Sequence, residues 1–189
     1  MSAEFRFNTG RIALALPATV RRRASLARDV LASRGAPARW LRDAGVARET
    51  LALSNAQERE LVRLREAIQS LAEAVVAGDP LPRNAVTIVN KAASRPIPAP
   101  QLDPNSGECK FVISDPFETA LATVARDAID LVTGPYRDRI KACAQDDCRV
   151  LFLDASRSGR RRWCSMDRCG SRAKGETFRR RRKEHEHNR

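Results

Sequence analysis

Histidine is nearly missing from this sequence: there are two in 189 residues, His185 and His187, both within the last five positions. The rest of the chain therefore has no imidazole to act as a general base, and it contains no glycine-rich phosphate loop. Paired carboxylates occur at Asp146-Asp147, but they flank a cysteine pair, where solvation accounts for them. An enzyme is not expected. Aromatic residues make up only 5%, so the core must be built mainly from Ala, Leu, Val and Ile. Long apolar runs are absent as well, and none approaches the roughly eighteen residues that a membrane span needs. The stretch Ile12 to Leu16 is too short for an export signal. Pro17 interrupts it, and Arg21, Arg22 and Arg23 lie on the wrong side of it. The expectation is a cytoplasmic protein without a membrane partner.

Cysteine is scarce but ordered. Four of the five form two matched pairs, Cys143 with Cys148 and Cys164 with Cys169; four residues separate the members of each pair and fifteen separate the pairs. A short loop of this kind can present two thiolates to one ion, and the intervening segment can fold back to bring the second pair opposite. Disulfides are the alternative use of such thiols. Without an export signal the compartment is expected to be reducing, which favours a metal. Four thiolates leave Zn²⁺ no open position, so the expected ion is a single structural one that folds a segment too small to bury its own core. Phe152 and Trp163 are expected to cover it. The fifth cysteine, Cys109, lies in a strand-like run and is expected to be buried and inert.

Charge is unevenly spread. The net charge is +12, and residues 150–189 hold 13 Lys/Arg against 5 Asp/Glu, a net of +8. Such a gradient points to nucleic acid or another anionic surface. Arginine suits phosphate because its planar fork is always charged and can bind through two donors. The candidate contacts are Arg157, Arg160, Arg161 and Arg162 between the cysteine pairs, with Arg172, Lys174, Arg179 and Lys183 after them. Arg172, Arg179 and Lys183 step by seven and four and can line one helical face. The bland reading of the run Arg179 to Lys183 is a solvated basic tail.

The periodicity predicts a mainly α fold. Val20, Ala24, Ala27 and Leu31 suggest a helix over 18–34 that stops at Gly35, and Trp40 and Leu41 head a short one ending at Gly45. Ser54 with Gln57 makes a capping box for the longest helix, whose face is Leu61, Leu64, Ile68, Leu71 and Val75. That face fits a packed core helix or, through its heptad-like rhythm, a homodimer seam. Residues 82–93 form another short helix. Residues 96–107 hold four prolines and read as a loop, with a small hairpin ending at Ser114. Asp115-Pro116-Phe117-Glu118 is a strong helix start, and Gly134-Pro135 ends that helix. The chain is divided there into a helical domain, 1–134, and a zinc module, 135–189. Within the module, 150–154 and 160–163 read as two strands of a β-hairpin joining the cysteine pairs, followed by a helix from about Ser171. The expected architecture is treble-clef or zinc-ribbon-like.

Cys143-x₄-Cys148, Phe152-x-Asp154-x-Ser156, Arg161-Arg-Trp-Cys-Ser-Met166 and Cys169-Gly-Ser-Arg172 resemble the CGNR zinc-finger family. The preceding region resembles the ABATE domain through Phe7-x-x-Gly10-Arg11, Trp40-Leu-Arg-Asp-Ala-Gly45, Leu64-Arg65-Glu66-Ala67 and Asn90. The resemblance implies a bacterial protein with Cys143, Cys148, Cys164 and Cys169 as zinc ligands, a role in DNA binding and transcription regulation, and a first domain that senses stress or a small-molecule effector. Ser171 stands where the family has Asn, and Leu14-Ala-Leu16 lacks an expected acidic residue. DNA is favoured over RNA because the basic region offers only Trp163 and Phe178 for base stacking. A zinc-braced protein–protein adaptor is the third reading.

Overall fold

In the computed structural model, residues 5–187 are described, with side chains described as far as Arg180. The described residues are mainly helical, with three two-stranded antiparallel pairs among them. Helix α1 is Ile12–Ala15, and strands β1 (Val20–Arg21) and β2 (Arg28–Asp29) form a minimal hairpin. Helices α2 (Ala36–Asp43), α3 (Asn55–Ala77) and α4 (Arg83–Ala93) follow, then a hairpin of β3 (Ala99–Leu102) and β4 (Cys109–Val112). Helix α5 spans Pro116–Thr133. Strands β5 (Ile140–Ala142) and β6 (Leu151–Leu153) pair, and α6 runs from Ser171 to His187.

Local chemistry explains the long helices. Ser54 accepts from the Gln57 N–H while the Gln57 side chain returns to the Ser54 N–H, and Gly78 ends α3 in the left-handed conformation. Asp115 accepts from the N–H groups of Phe117 and Glu118, with Pro116 in the first turn. Helices α3, α4 and α5 pack on one another around Leu61, Leu64, Ile68, Leu121 and Val124, and Trp40 is wholly buried among them. The Leu61–Val75 face is thus used within the protein's own core and offers no dimer seam.

The predicted helix over 18–34 does not form. Ala24 and Ala27 are exposed, Arg22 takes a left-handed φ of 54°, and Asp29 caps the next turn through the Leu31 N–H at 2.9 Å. An ion pair decides it: buried Arg65 on α3 grips Asp29 with two bonds, 2.7 and 2.8 Å, and reaches Thr19. Tertiary pairing overrides a modest periodicity. Cys109 also departs from expectation, since it is exposed in β4.

The C-terminal module is built onto the helices. Leu14, Ala72, Leu131, Ile140, Leu151 and Leu153 form one buried cluster across the two. The Leu153 N–H donates to the Thr9 carbonyl at 2.8 Å, and Gly10 lies so close to Leu153 that a Cβ there would sit 3.1 Å from its Cβ. With φ at 87°, Gly10 suits both demands. Arg11 then bonds Asp127 at 2.7 Å and Asp130 at 2.6 Å, while Asp127 accepts the Ala13 N–H at the start of α1.

Candidate metal centre and basic surface

Strand β5 leads directly into Cys143, and the chain returns through Cys148 to β6. The Cys143 N–H donates to the Val150 carbonyl at 2.9 Å and the Cys148 N–H to the Gln145 carbonyl at 2.9 Å. Arg149 completes the turn with φ at 51°. Cys164 donates its N–H toward the Cys143 sulfur at 3.5 Å. Cys169 lies in a π-helical turn, Met166–Gly170, immediately before α6. The hairpin therefore spans the first cysteine pair; it does not join the two pairs as predicted, and residues 160–163 are not a strand.

The four buried sulfurs all lie within 4.8 Å of one another. Cys148 to Cys164 and Cys164 to Cys169 are each 3.7 Å. A tetrahedral zinc site with Zn–S near 2.3 Å has sulfur edges of about 3.8 Å, which these two distances match. Electrostatics agrees. Hydrogen bonds from Cys148 and Cys164 hold Cys143 well below the usual thiol range. Sharing with Cys143 and Cys148 pushes Cys164 up, and burial followed by the Cys148 contact raises Cys169 to about 12. Four thiolates cannot coexist in this space without a cation, and a divalent one supplies the missing charge. The residues fit one closed, structural zinc ion. Phe152 is wholly buried in the same cluster and Trp163 packs on it, as predicted.

The cationic residues divide by environment. Arg157, Arg160, Arg162, Lys174 and Arg179 are exposed, with Arg162 stacked over Trp163 at 5.3 Å. Arg161 is turned inward: its guanidinium lies 4.7 Å from the Phe152 ring, bonds the Trp163 carbonyl at 2.8 Å and reaches the Cys164 carbonyl. Arg172 makes a two-bond pair with Asp147 on the first cysteine loop, tying α6 to it. These two arginines brace the module, whatever else they touch. Lys183, His185 and His187 lie outside the residues whose side chains are described.

Residues 10–135, two thirds of the chain, match the ABATE family, described as "Putative stress-induced transcription regulator". The chain belongs to the ABATE family. The CGNR zinc finger matches residues 139–182, which contain all four cysteines. A search of curated proteins found no match.

In the CGNR finger the residue that sequence reasoning passed over is Asp154. It is fully buried, and both its oxygens are saturated. One accepts from the Ser156 N–H (3.1 Å) and hydroxyl (2.6 Å), the other from Lys141 (2.8 Å) and the Arg161 N–H (2.8 Å). Burial alone would raise its pKa, but these donors, Lys141 foremost, hold it well below the usual carboxylate range. The carboxylate holds the 154–161 loop through the Arg161 N–H, and 151–153 pairs with β5 in place of the predicted 160–163. The signal was present in Phe152-x-Asp154-x-Ser156. In the ABATE domain, Gly10-Arg11 and Arg65-Glu66 likewise prove to be structural: they seat the finger and fix the β1–β2 hairpin.

Proposed function

We propose that this ABATE–CGNR protein is a zinc-braced transcription regulator that binds DNA through its finger and the helix following it, and that it is a binding protein with no catalytic role. The supporting observation is the set of exposed cations, Arg157, Arg160, Arg162, Lys174 and Arg179, on a module whose fold a closed Cys₄ site fixes. Helix α6 presents Lys174 and Arg179, and phosphate contacts from such side chains give affinity with strong salt dependence. A small-molecule effector would enter an open, chiefly apolar groove of about 630 Å³ in the ABATE domain, lined by Val46, Leu51, Phe111, Ile113 and Pro116.

Binding of a mixed-sequence duplex by zinc-loaded protein carrying Lys174→Ala and Arg179→Ala tests this reading. Affinity should fall about tenfold at low salt with zinc content unchanged; an unchanged affinity contradicts it. One observation favours single-stranded RNA as a second reading. Phe178 is 69% exposed on the basic helix, where it offers a stacking platform. If Phe178→Ala weakens single-stranded RNA binding and leaves duplex DNA binding intact, with RNA the tighter ligand in the unaltered protein, RNA takes first place.

A further inference from the structure

The ABATE domain is basic where it meets the finger. A cleft of about 370 Å³ opens between the β1–β2 hairpin and the first cysteine loop, lined by Arg6, Arg21, Arg22, Arg28, Arg168 and Arg172 together with Leu26, Cys148 and Cys169. Three of the six arginines come from the hairpin, one from the N-terminal segment and two from the finger. Asp147 pairs with two of them, Arg172 and, at 3.2 Å, Arg22. Glu176 and Cys169 add negative charge near Arg172, and Cys148 and Cys169 of the metal centre lie on the cleft wall, yet six guanidinium groups outnumber these groups in one concavity.

The hairpin gathers like charges at the cleft. Arg21 and Arg28 are direct cross-strand partners, a placement in which like charges repel. Arg22 holds a left-handed backbone conformation that few non-glycine residues adopt. The Nε–H of Arg6 is buried with no hydrogen-bond acceptor among the described residues, and a buried donor of this kind calls for a partner. Arg28 and Arg168 form no ion pair among the described residues. The scaffold beneath is rigid, because Arg65 clamps Asp29 and Arg23 pairs with Glu66 at 3.0 Å. Such a hairpin is too short to be stable alone, so these clamps hold the arginines at the cleft.

We propose that this cleft is a phosphate-binding site that takes a stretch of nucleic-acid backbone, so that the ABATE domain and the CGNR finger grip one strand together. It rests on the polyanion-binding reading above and extends it to a surface outside the finger. Asp147 then acts as an internal competitor: entering phosphates must displace it from Arg22 and Arg172. Recognition at this cleft is by charge and two-donor geometry and carries no base preference.

The test measures affinity for a mixed-sequence DNA duplex across salt concentration, using zinc-loaded full-length protein. Each phosphate contact contributes about 0.9 to the slope of log affinity against log salt. The double variant Arg21→Ala with Arg28→Ala should lower that slope by nearly two and leave zinc stoichiometry intact. Asp147→Asn, which frees two arginines, should tighten binding several-fold at low salt, whereas a purely structural Asp147 would give weaker binding on removal. If the unaltered protein and Asp147→Asn bind equally and the hairpin variant keeps the full slope, the cleft is not a phosphate site. The Lys174→Ala, Arg179→Ala result then decides separately whether the finger binds. If the hairpin variant fails to fold, Asp147→Asn alone decides: tighter binding supports the site, equal or weaker binding overturns it. Absence of any binding by the unaltered protein overturns both readings together.

Discussion

At the residue scale, single side chains in this protein decide where the chain turns. Arg149 closes the first cysteine loop with φ at 51°, where an L side chain is strained and glycine is not. Arg149→Gly should therefore raise stability by about 1 kcal/mol in chemical denaturation of the zinc-loaded protein. A loss of similar size would mean that the exposed Arg149 side chain contributes something the backbone argument omits. Asp154 is the opposite case. It is fully buried and satisfies the Ser156 and Arg161 backbone N–H groups together with Lys141. Asp154→Ala strands those donors and should cost about 3–5 kcal/mol, seen as a lower denaturation midpoint and faster zinc loss to a chelator.

At the element scale, the helices and the hairpins differ in what makes them form. Helices α3 and α5 carry their own instructions: a capping box at Ser54 and Gln57, an Asp115 cap with Pro116, and apolar residues on one face. Such elements can be read from sequence because every deciding residue lies within a few positions of the element. The four zinc ligands were legible for the same reason, since their spacing is local. The β1–β2 hairpin was not. Its deciding contact joins Asp29 to Arg65, 36 positions away, and the alanines that suggested a helix turned out to be exposed. The β5–β6 pairing was missed because β5 is only three residues, Ile140–Ala142, too few for a periodic pattern to show, and a partner for 150–154 was sought in 160–163. That Arg161 and Arg172 also brace the module was not legible, because their internal partners, carbonyl oxygens and Asp147, become visible only in three dimensions.

The hairpin's dependence on one ion pair makes a direct prediction. Asp29→Ala leaves Arg65, which is 4% exposed, without its main counter-charge and should destabilise the protein by about 3 kcal/mol. Hydrogen exchange should show the loss concentrated around residues 20–32. The same network sets the sign of the acid response. Burial tends to raise the pKa of Asp29 and Glu66, but Arg65 and Arg23 respectively hold both below the usual carboxylate value. Carboxyl groups depressed in the folded state contribute stability above their unfolded values, near pH 4. That contribution disappears as pH falls through the folded values. The unfolding free energy should hence decline below about pH 4, and Asp29→Ala should flatten that decline.

At the scale of the whole molecule, zinc site and helical domain form a continuous structure. Ala18 of the ABATE domain belongs to the buried cluster around the four cysteines, and β6 is bonded to the N-terminal segment through Thr9. The two tryptophans divide neatly between the parts, Trp40 in the helical core and Trp163 on the metal cluster. Chelation should shift Trp163 emission to the red and release the finger, since its small core cannot close around four uncompensated thiols. Helices α3, α4 and α5 have their own core and should keep most of the helical signal. A simultaneous collapse of both would show that the domains fold as one unit. No helix among the described residues is long and apolar enough to cross a membrane.

The central claim is that a zinc-braced basic surface exists to hold a phosphate polymer. Fluorescence anisotropy of a labelled mixed-sequence DNA duplex, titrated with zinc-loaded protein over a range of salt concentrations, tests it most directly. The account predicts binding at low salt that weakens linearly on a log–log plot, with a slope equivalent to several phosphates, and loss of that binding on chelation. No binding at 50 mM salt, or binding indifferent to both salt and zinc, would contradict it.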